Sequence, residues 1–90
     1  MTTRYRAQHI LLEDEDDVSY ILEQLDQGVS FEFLAKQYSE CDTAQTGGHL
    51  GRFSSGSMSA EFEKALYHLK QGEVSGGVRT KYGFHVIKRL

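Results

Sequence analysis

Ninety residues with 39% hydrophobic and 26% charged side chains have the balance of one small globular domain, with room for a single core. The formal net charge of −3 argues against a general nucleic-acid surface, which is normally basic. No apolar run approaches the roughly 18–20 residues of a membrane helix, and the opening Met-Thr-Thr-Arg-Tyr-Arg lacks the apolar stretch of an export signal. The lone cysteine, Cys41, cannot close an internal disulfide. A cytoplasmic monomer of one domain, residues 1–90, is therefore the expectation.

Residues 5–12 are rich in apolar groups and too short for a capped helix, which predicts a strand with positions 5, 7, 9 and 11 on one face. Val18, Ile21, Leu22 and Leu25 follow at the spacing of an amphipathic helix, with acids in its first turn and Gly28 as a stop. Ser30 can cap a second helix whose stripe is Phe31, Leu34, Ala35 and Tyr38. The stretch from Cys41 to Thr46 is polar and irregular, with room for a short helical turn, and leads through Gly47-Gly48 into a short strand, His49 to Phe53. Ser54-Ser55-Gly56-Ser57 reads as a turn. Ser59 can cap a third main helix, with Phe62, Ala65, Leu66 and Leu69 inward and Gln71-Gly72 as its end. A short strand near Val78, a turn at Lys81-Tyr82-Gly83 and a last strand, Phe84 to Leu90, complete the chain. The order β-α-α-(α)-β-α-β-β is α+β: helices around a small, mainly antiparallel sheet.

Charge is unevenly spread. Glu13 to Asp17 are five consecutive acids, and outside that run the balance is 10 basic to 8 acidic residues. There is no proline, no internal repeat and no linker-like tract.

Five islands carry the residues with chemistry. They are His9-Ile10-Leu11-Leu12, Cys41, Gly47-Gly48-His49-Leu50-Gly51-Arg52-Phe53, Met58 with Phe62, and Tyr82-Gly83-Phe84-His85-Val86-Ile87. Each has a bland reading. His9 or His85 alone is more readily a satisfied structural histidine than a site residue. Cys41 fits a buried inert thiol, a nucleophile, a zinc ligand or a polar site group; no close-spaced ligand pair favours zinc, and no motif supplies a nucleophile's base. Leu50, Met58 and Phe62 read as core from composition. Together, however, two histidines, a thiol and an apolar trio suit a site that grips a nonpolar ring while polar groups contact one amide.

This ensemble resembles the parvulin family of peptidyl-prolyl cis/trans isomerases from about Arg6 to Arg89. The ordered string is Cys41, Gly-Gly-x-Leu-Gly-x-Phe, Gly-x-Met-x-x-x-Phe and Gly-Phe-His-Val-Ile. The resemblance implies an FKBP-like α+β superfold with a four-stranded sheet and a histidine pair, His9 and His85, on adjacent first and last strands. It further implies Thr80 and the thiol of Cys41 beside the pair, and a proline pocket of Leu50, Met58 and Phe62 with Tyr82 among the substrate-binding residues. Parvulins usually carry Asp where this chain has His49, and often Gln where it has Ser57. Neither position is assigned to the chemistry; His49 and His68 are left as surface or structural residues.

The implied reaction is rotation about X–Pro bonds in peptides and folding proteins. No bond breaks, so it needs no metal or other cofactor, and neither nucleic acid nor membrane is an expected partner. The main alternative is a proline-peptide-binding or chaperone module without turnover. Parvulins that require phosphoserine or phosphothreonine before proline place a basic cluster after their first strand; here Glu13 to Asp17 stand there. Phosphorylation-independent turnover is expected, with a mild preference for Lys or Arg nearby.

Overall fold

The architecture follows from a first strand that is apolar on both faces. A computed structural model describes residues 4–54 and 56–90, with β1 at Arg4–Leu12. As expected from the period of two, Tyr5 and Ala7 share one face and pack with Phe62 and Leu66. The opposite face is buried as well: Ile10 and Leu12 belong to a second cluster with Val18, Ile21, Leu34 and Val86. A strand buried on both sides belongs in the middle of a sheet, and β1 lies there.

Helix α1 (Glu15–Asp26) carries Glu15, Asp16 and Asp17 in its first turn, where the positive end of the helix dipole favours them. It ends at Gly28, whose left-handed φ of 94° lets its amide and that of Val29 return to the carbonyls of Leu25 and Gln24. In α2 (Phe31–Tyr38) the Ser30 hydroxyl accepts from the Phe33 amide at 3.1 Å, the expected cap. Phe31, Leu34 and Ala35 are buried as the stripe predicts, but Tyr38 is not. The helix stops at Tyr38, beyond the apolar cluster, and its ring leans on Tyr20 with centroids 5.5 Å apart.

The irregular stretch after Cys41 winds into one 3₁₀ turn, Asp42–Thr46, closed by Gly47. Strand β2 (His49–Ser54) follows, and of the predicted turn after it Ser55 lies outside the described residues. Helix α3 (Ala60–His68) has Ser59 as its cap, the hydroxyl accepting from the Phe62 amide at 3.3 Å. It ends three residues before the expected Gln71-Gly72. Leu69 turns extended, its carbonyl accepts from the Arg89 guanidinium at 2.7 Å, and the Gly72 amide donates to the Arg89 carbonyl. The final strand thus captures the segment that would have continued the helix. Strands β3 (Val78–Thr80) and β4 (Gly83–Arg89) form the closing hairpin.

The sheet order is β2-β1-β4-β3, and every neighbouring pair is antiparallel. Helices α1 and α2 cover one face and α3 the other, giving two cores separated by the sheet. Between Arg6 and Gln8 the β1–β2 ladder slips. Arg6 faces Arg52 and Gln8 faces His49, so β2 holds the extra residue, at Leu50-Gly51, where Gly51 has φ 70°. Such a bulge re-aims a side chain, and here the bent residue is Leu50, which packs onto the Phe62 cluster. No helix of the described residues is long and apolar enough to cross a membrane.

Gly48 is the tightest backbone approach. Its φ is 84°, and a methyl group there would lie 2.4 Å from the His9 carbonyl oxygen, whereas Gly28 (φ 94°) has nothing within 4 Å. Gly28→Ala should therefore cost only the left-handed strain, about 1–2 kcal/mol. Gly48→Ala adds a clash with the central strand and should cost at least about 3 kcal/mol. Urea unfolding of both variants checks the order; equal losses would contradict it.

Candidate active site

Pairing of β1 with β4 sets His9 opposite Ile87 and Leu11 opposite His85, so the two histidines sit diagonally on one face. Their rings stack 5.1 Å apart at 16°, with Nδ1 to Nδ1 at 2.9 Å. Both residues are buried, at 3% and 5% exposure. The far nitrogen of each ring meets a hydroxyl: His85 Nε2 lies 2.8 Å from Thr80 Oγ1, and His9 Nε2 lies 3.1 Å from Thr43 Oγ1. Four side chains from four segments therefore form one line, Thr80–His85–His9–Thr43.

Donor counting ties the protons of that line to one another. The Tyr82 amide donates to Thr80 Oγ1 at 3.2 Å and fills one of its two lone pairs; in the direction that starts at Thr80, the hydroxyl sends its own proton to His85 Nε2. His85 then carries its proton on Nδ1 and donates to His9 Nδ1. His9 carries its proton on Nε2 and donates to Thr43 Oγ1. The Thr43 hydroxyl, only partly buried, is left with a proton to offer outward.

The pair is held neutral. Burial, and then the proximity of His85, lower the pKa of His9 from 6.5 to about 4; burial also lowers that of His85. The two Nδ1 atoms share one proton, and a second proton there would set two N–H groups against each other, breaking the line at its centre. A buried pair that need not ionise keeps a fixed shape at neutral pH.

Phe62 is the structural hinge between pair and pocket. Its ring stands edge-on to His9 at 5.8 Å and to His85 at 5.5 Å, and it is 1% exposed. It also lines a cavity of about 380 Å³ with Met58, Tyr82, His85, Lys81, Ser57 and Ser59. Leu50 and Met58 pack against the Phe62 cluster, so the expected apolar trio is brought together. Phe62 is both core and pocket wall. Tyr82, 69% exposed, stands at the rim with Lys81 Nζ 5.1 Å from its ring centroid.

Cys41 is placed less directly. It is partly buried and begins the turn that carries Thr43 over His9. Its amide donates to Ser39 Oγ at 3.4 Å and its carbonyl accepts from Ala44; among the described residues its sulfur makes no hydrogen bond to either ring. The described residues include no group of three His, Cys, Asp or Glu side chains that could hold a metal ion. His49 lies outside the line, its ring 3.2 Å from the Gln8 amide nitrogen. Thr43 is the site residue that sequence reasoning missed.

The lowered histidine pKa fixes a pH signature. The unfolded chain takes up protons near pH 6.5, the folded pair only near pH 4 for His9, so this contribution to stability is full above about 6.5 and lost as pH falls toward 4. The stability difference between the protein and its His9→Gln variant should accordingly shrink from pH 7 to pH 5. A constant difference in urea unfolding would show that His9 is not held neutral.

These features have counterparts in known proteins. The profile of the Rotamase, or PPIC-type PPIase, domain family matches residues 9–90. Foldase protein PrsA 1 of Bacillus cereus is 52% identical over 85 residues, which is 92% of this chain but 29% of that protein. Among solved structures, the peptidylprolyl isomerase PrsA of Bacillus anthracis superposes with a TM-score of 0.95 at 45% identity, over 98% of this chain and 41% of that one. NmPin, the parvulin of Nitrosopumilus maritimus, gives 0.88 at 35% identity and covers 100% of this chain and 98% of its own. This chain spans less than a third of the curated PrsA relative. With the family profile matched over almost its whole length, the chain belongs to the PPIC-type peptidyl-prolyl isomerase family, the parvulins.

Proposed function

We propose that this chain accelerates rotation about X–Pro bonds by binding the twisted amide better than either planar isomer. The observation that carries the reading is the neutral, rigid histidine pair lying directly against an apolar cavity through Phe62. Uncatalysed rotation faces a barrier of about 18–20 kcal/mol. No covalent step is required: fixing the proline ring in the cavity leaves the preceding carbonyl to turn past the polar groups. Lowering the barrier by about 7 kcal/mol would give some five decades of rate.

The parts divide the work. Met58, Phe62 and Leu50 supply the apolar anchor, and methionine's flexible thioether accommodates both isomers of the ligand. The line from Thr80 to Thr43 supplies a floor whose two tautomers are locked to each other, with a partly buried hydroxyl at its outer end. Cys41 acts through polarity at the start of that turn, without a covalent intermediate. Clients are proline-containing peptides and folding polypeptides, a reading supported by relatives that are named foldases.

Exchange NMR on a short Ala-Pro peptide tests turnover: cross-peaks between cis and trans should broaden equally in both directions on adding protein, and do so with chelator present. Unchanged exchange at high protein concentration would turn the reading into a binding module. Met58→Ala should weaken peptide binding by about 1.5–3 kcal/mol with the fold retained. Phe62→Ala would cost about 3–5 kcal/mol of stability as well, because Phe62 is 1% exposed in the α3-side core. Cys41→Ser should reduce turnover more than affinity yet stay well above background; a folded but wholly inactive variant would restore the nucleophile.

We also propose that turnover does not require phosphorylation. Glu13 to Asp17 are all exposed at the end of β1, with Glu15, Asp16 and Asp17 in the first turn of α1. A phosphate of about −2 at roughly 7 Å from two such acids is opposed by on the order of 1 kcal/mol after screening. One lysine over Tyr82 is no substitute for a bidentate arginine cluster. PhosphoSer-Pro peptides should therefore be handled about tenfold less well than Ala-Pro at low salt. Faster turnover of the phosphorylated peptide would sink this proposal.

A further inference from the structure

A second groove, of about 230 Å³, opens between the end of β1, α1 and α2, on the face of the sheet opposite α3. Its floor is apolar: Leu12 is 3% exposed and Ile21 1%. Its walls are Tyr20 and Tyr38, set edge to face at 73° with hydroxyls 3.4 Å apart. Both rings stay nearly half exposed, 45% and 44%. Glu13, Asp17 and Glu40 complete the lining, which contains no cation.

That combination selects one kind of occupant. An aliphatic stem fits the apolar floor, while a cationic head gains from ring faces and carboxylates together. A phosphate or carboxylate ligand would meet three like charges. A purely apolar side chain would desolvate those carboxylates without giving them a partner. The described residues hold no metal-binding group of carboxylates, so a bound ion is not the alternative.

The groove is also tied to the site. The Glu40 amide donates to the Leu11 carbonyl at 2.9 Å, and Leu11 faces His85 in the ladder. Three residues after Glu40 comes Thr43, the partner of His9. Three peptide units span at most about 11 Å between Cα atoms. An extended polypeptide covers such a distance in about three or four residues.

We infer that this groove binds an arginine or lysine side chain of the same polypeptide whose X–Pro bond occupies the cavity beside His85, at least about three or four residues away along the client chain. The inference rests on the isomerase reading for the position of the proline. It makes Tyr20, Tyr38, Glu13, Asp17 and Glu40 determinants of client choice at a distance from the bond that turns.

The test uses the 90-residue chain and paired peptides containing one Ala-Pro. One peptide of each pair carries Arg about three to seven residues before or after the proline, the other Gln at that place. NMR titration should show the Arg peptide binding about fivefold tighter at low salt in one of these placements, with the advantage shrinking as salt is added. The Tyr20 and Tyr38 ring signals should shift with the Arg peptide alone. The Arg-to-Gln affinity ratio should fall to about one both in the Tyr20→Leu, Tyr38→Leu double variant and in the Glu13→Gln, Glu40→Gln double variant. Equal binding of Arg and Gln peptides at every placement, or an Arg advantage untouched by both variants, would overturn the inference. Exchange rates are read separately in the same samples. An Arg advantage without exchange removes the isomerase reading and keeps the groove; exchange without an Arg advantage does the reverse.

Discussion

Everything in this molecule depends on the antiparallel pairing of its first and last strands. Six residue pairs, from Ala7–Arg89 to Leu12–Phe84, hold β1 against β4 at the centre of the sheet. The same ladder does two jobs. Its alternate side chains anchor the two cores, Ile10 and Val86 with α1 and α2, Ala7 and Ile87 with α3. On the α3 side it also places His9 against His85. The site is therefore not laid over a finished scaffold; its polar floor is part of the packing. Phe62 shows this most plainly, since one ring closes a core, props two histidines and faces the cavity.

Polarity is partitioned accordingly. The rings that line the interior stay uncharged because burial penalises the imidazolium, and a hydroxyl stands at each end of the pair to satisfy what the rings leave open. Formal charge is kept outside, in the acids that open α1 and in Lys81 at the cavity rim. The likeness to NmPin, covered over 98% of its length, and to PrsA, covered over 41%, shows the same unit as nearly a whole protein and as a portion of a longer one. Such reuse is physically reasonable for a domain whose site and cores share one ladder.

Much of this was legible in the residues, and the failures have physical causes. The helical stripes and the caps at Ser30 and Ser59 are local, set by hydrogen bonds and spacings within a few residues, and they came through. Tyr38 continued its stripe in sequence, but a stripe does not say where the surface beneath the helix ends. The end of α3 is not legible locally, because the competitor for Leu69 is Arg89, some twenty residues on. Strand order and the histidine pair came only from family resemblance, since no local signal says that β1 lies beside β4. Thr43 sits in a turn without a period, so pattern offered nothing. Donor counting did offer a clue: two linked imidazoles need a partner at each end, and Thr80 filled only one. A hydroxyl two residues after Cys41 was available for the other.

The central place of β1 and β4, far apart along the chain, has a consequence for biosynthesis. His9 and His85 are 76 positions apart. A ribosome adding about 5–20 residues each second keeps the first histidine waiting roughly 4–15 s for its partner. During that interval β1 has no β4, and its apolar faces lack half their cover. Helices α1 and α2 can form early, but neither the sheet's middle nor the paired rings can exist before β4 has been made. With no proline of its own, the chain adds no slow isomerisation to that delay. This domain thus completes its fold in one late, long-range step, as β4 inserts beside a β1 made some 76 positions earlier.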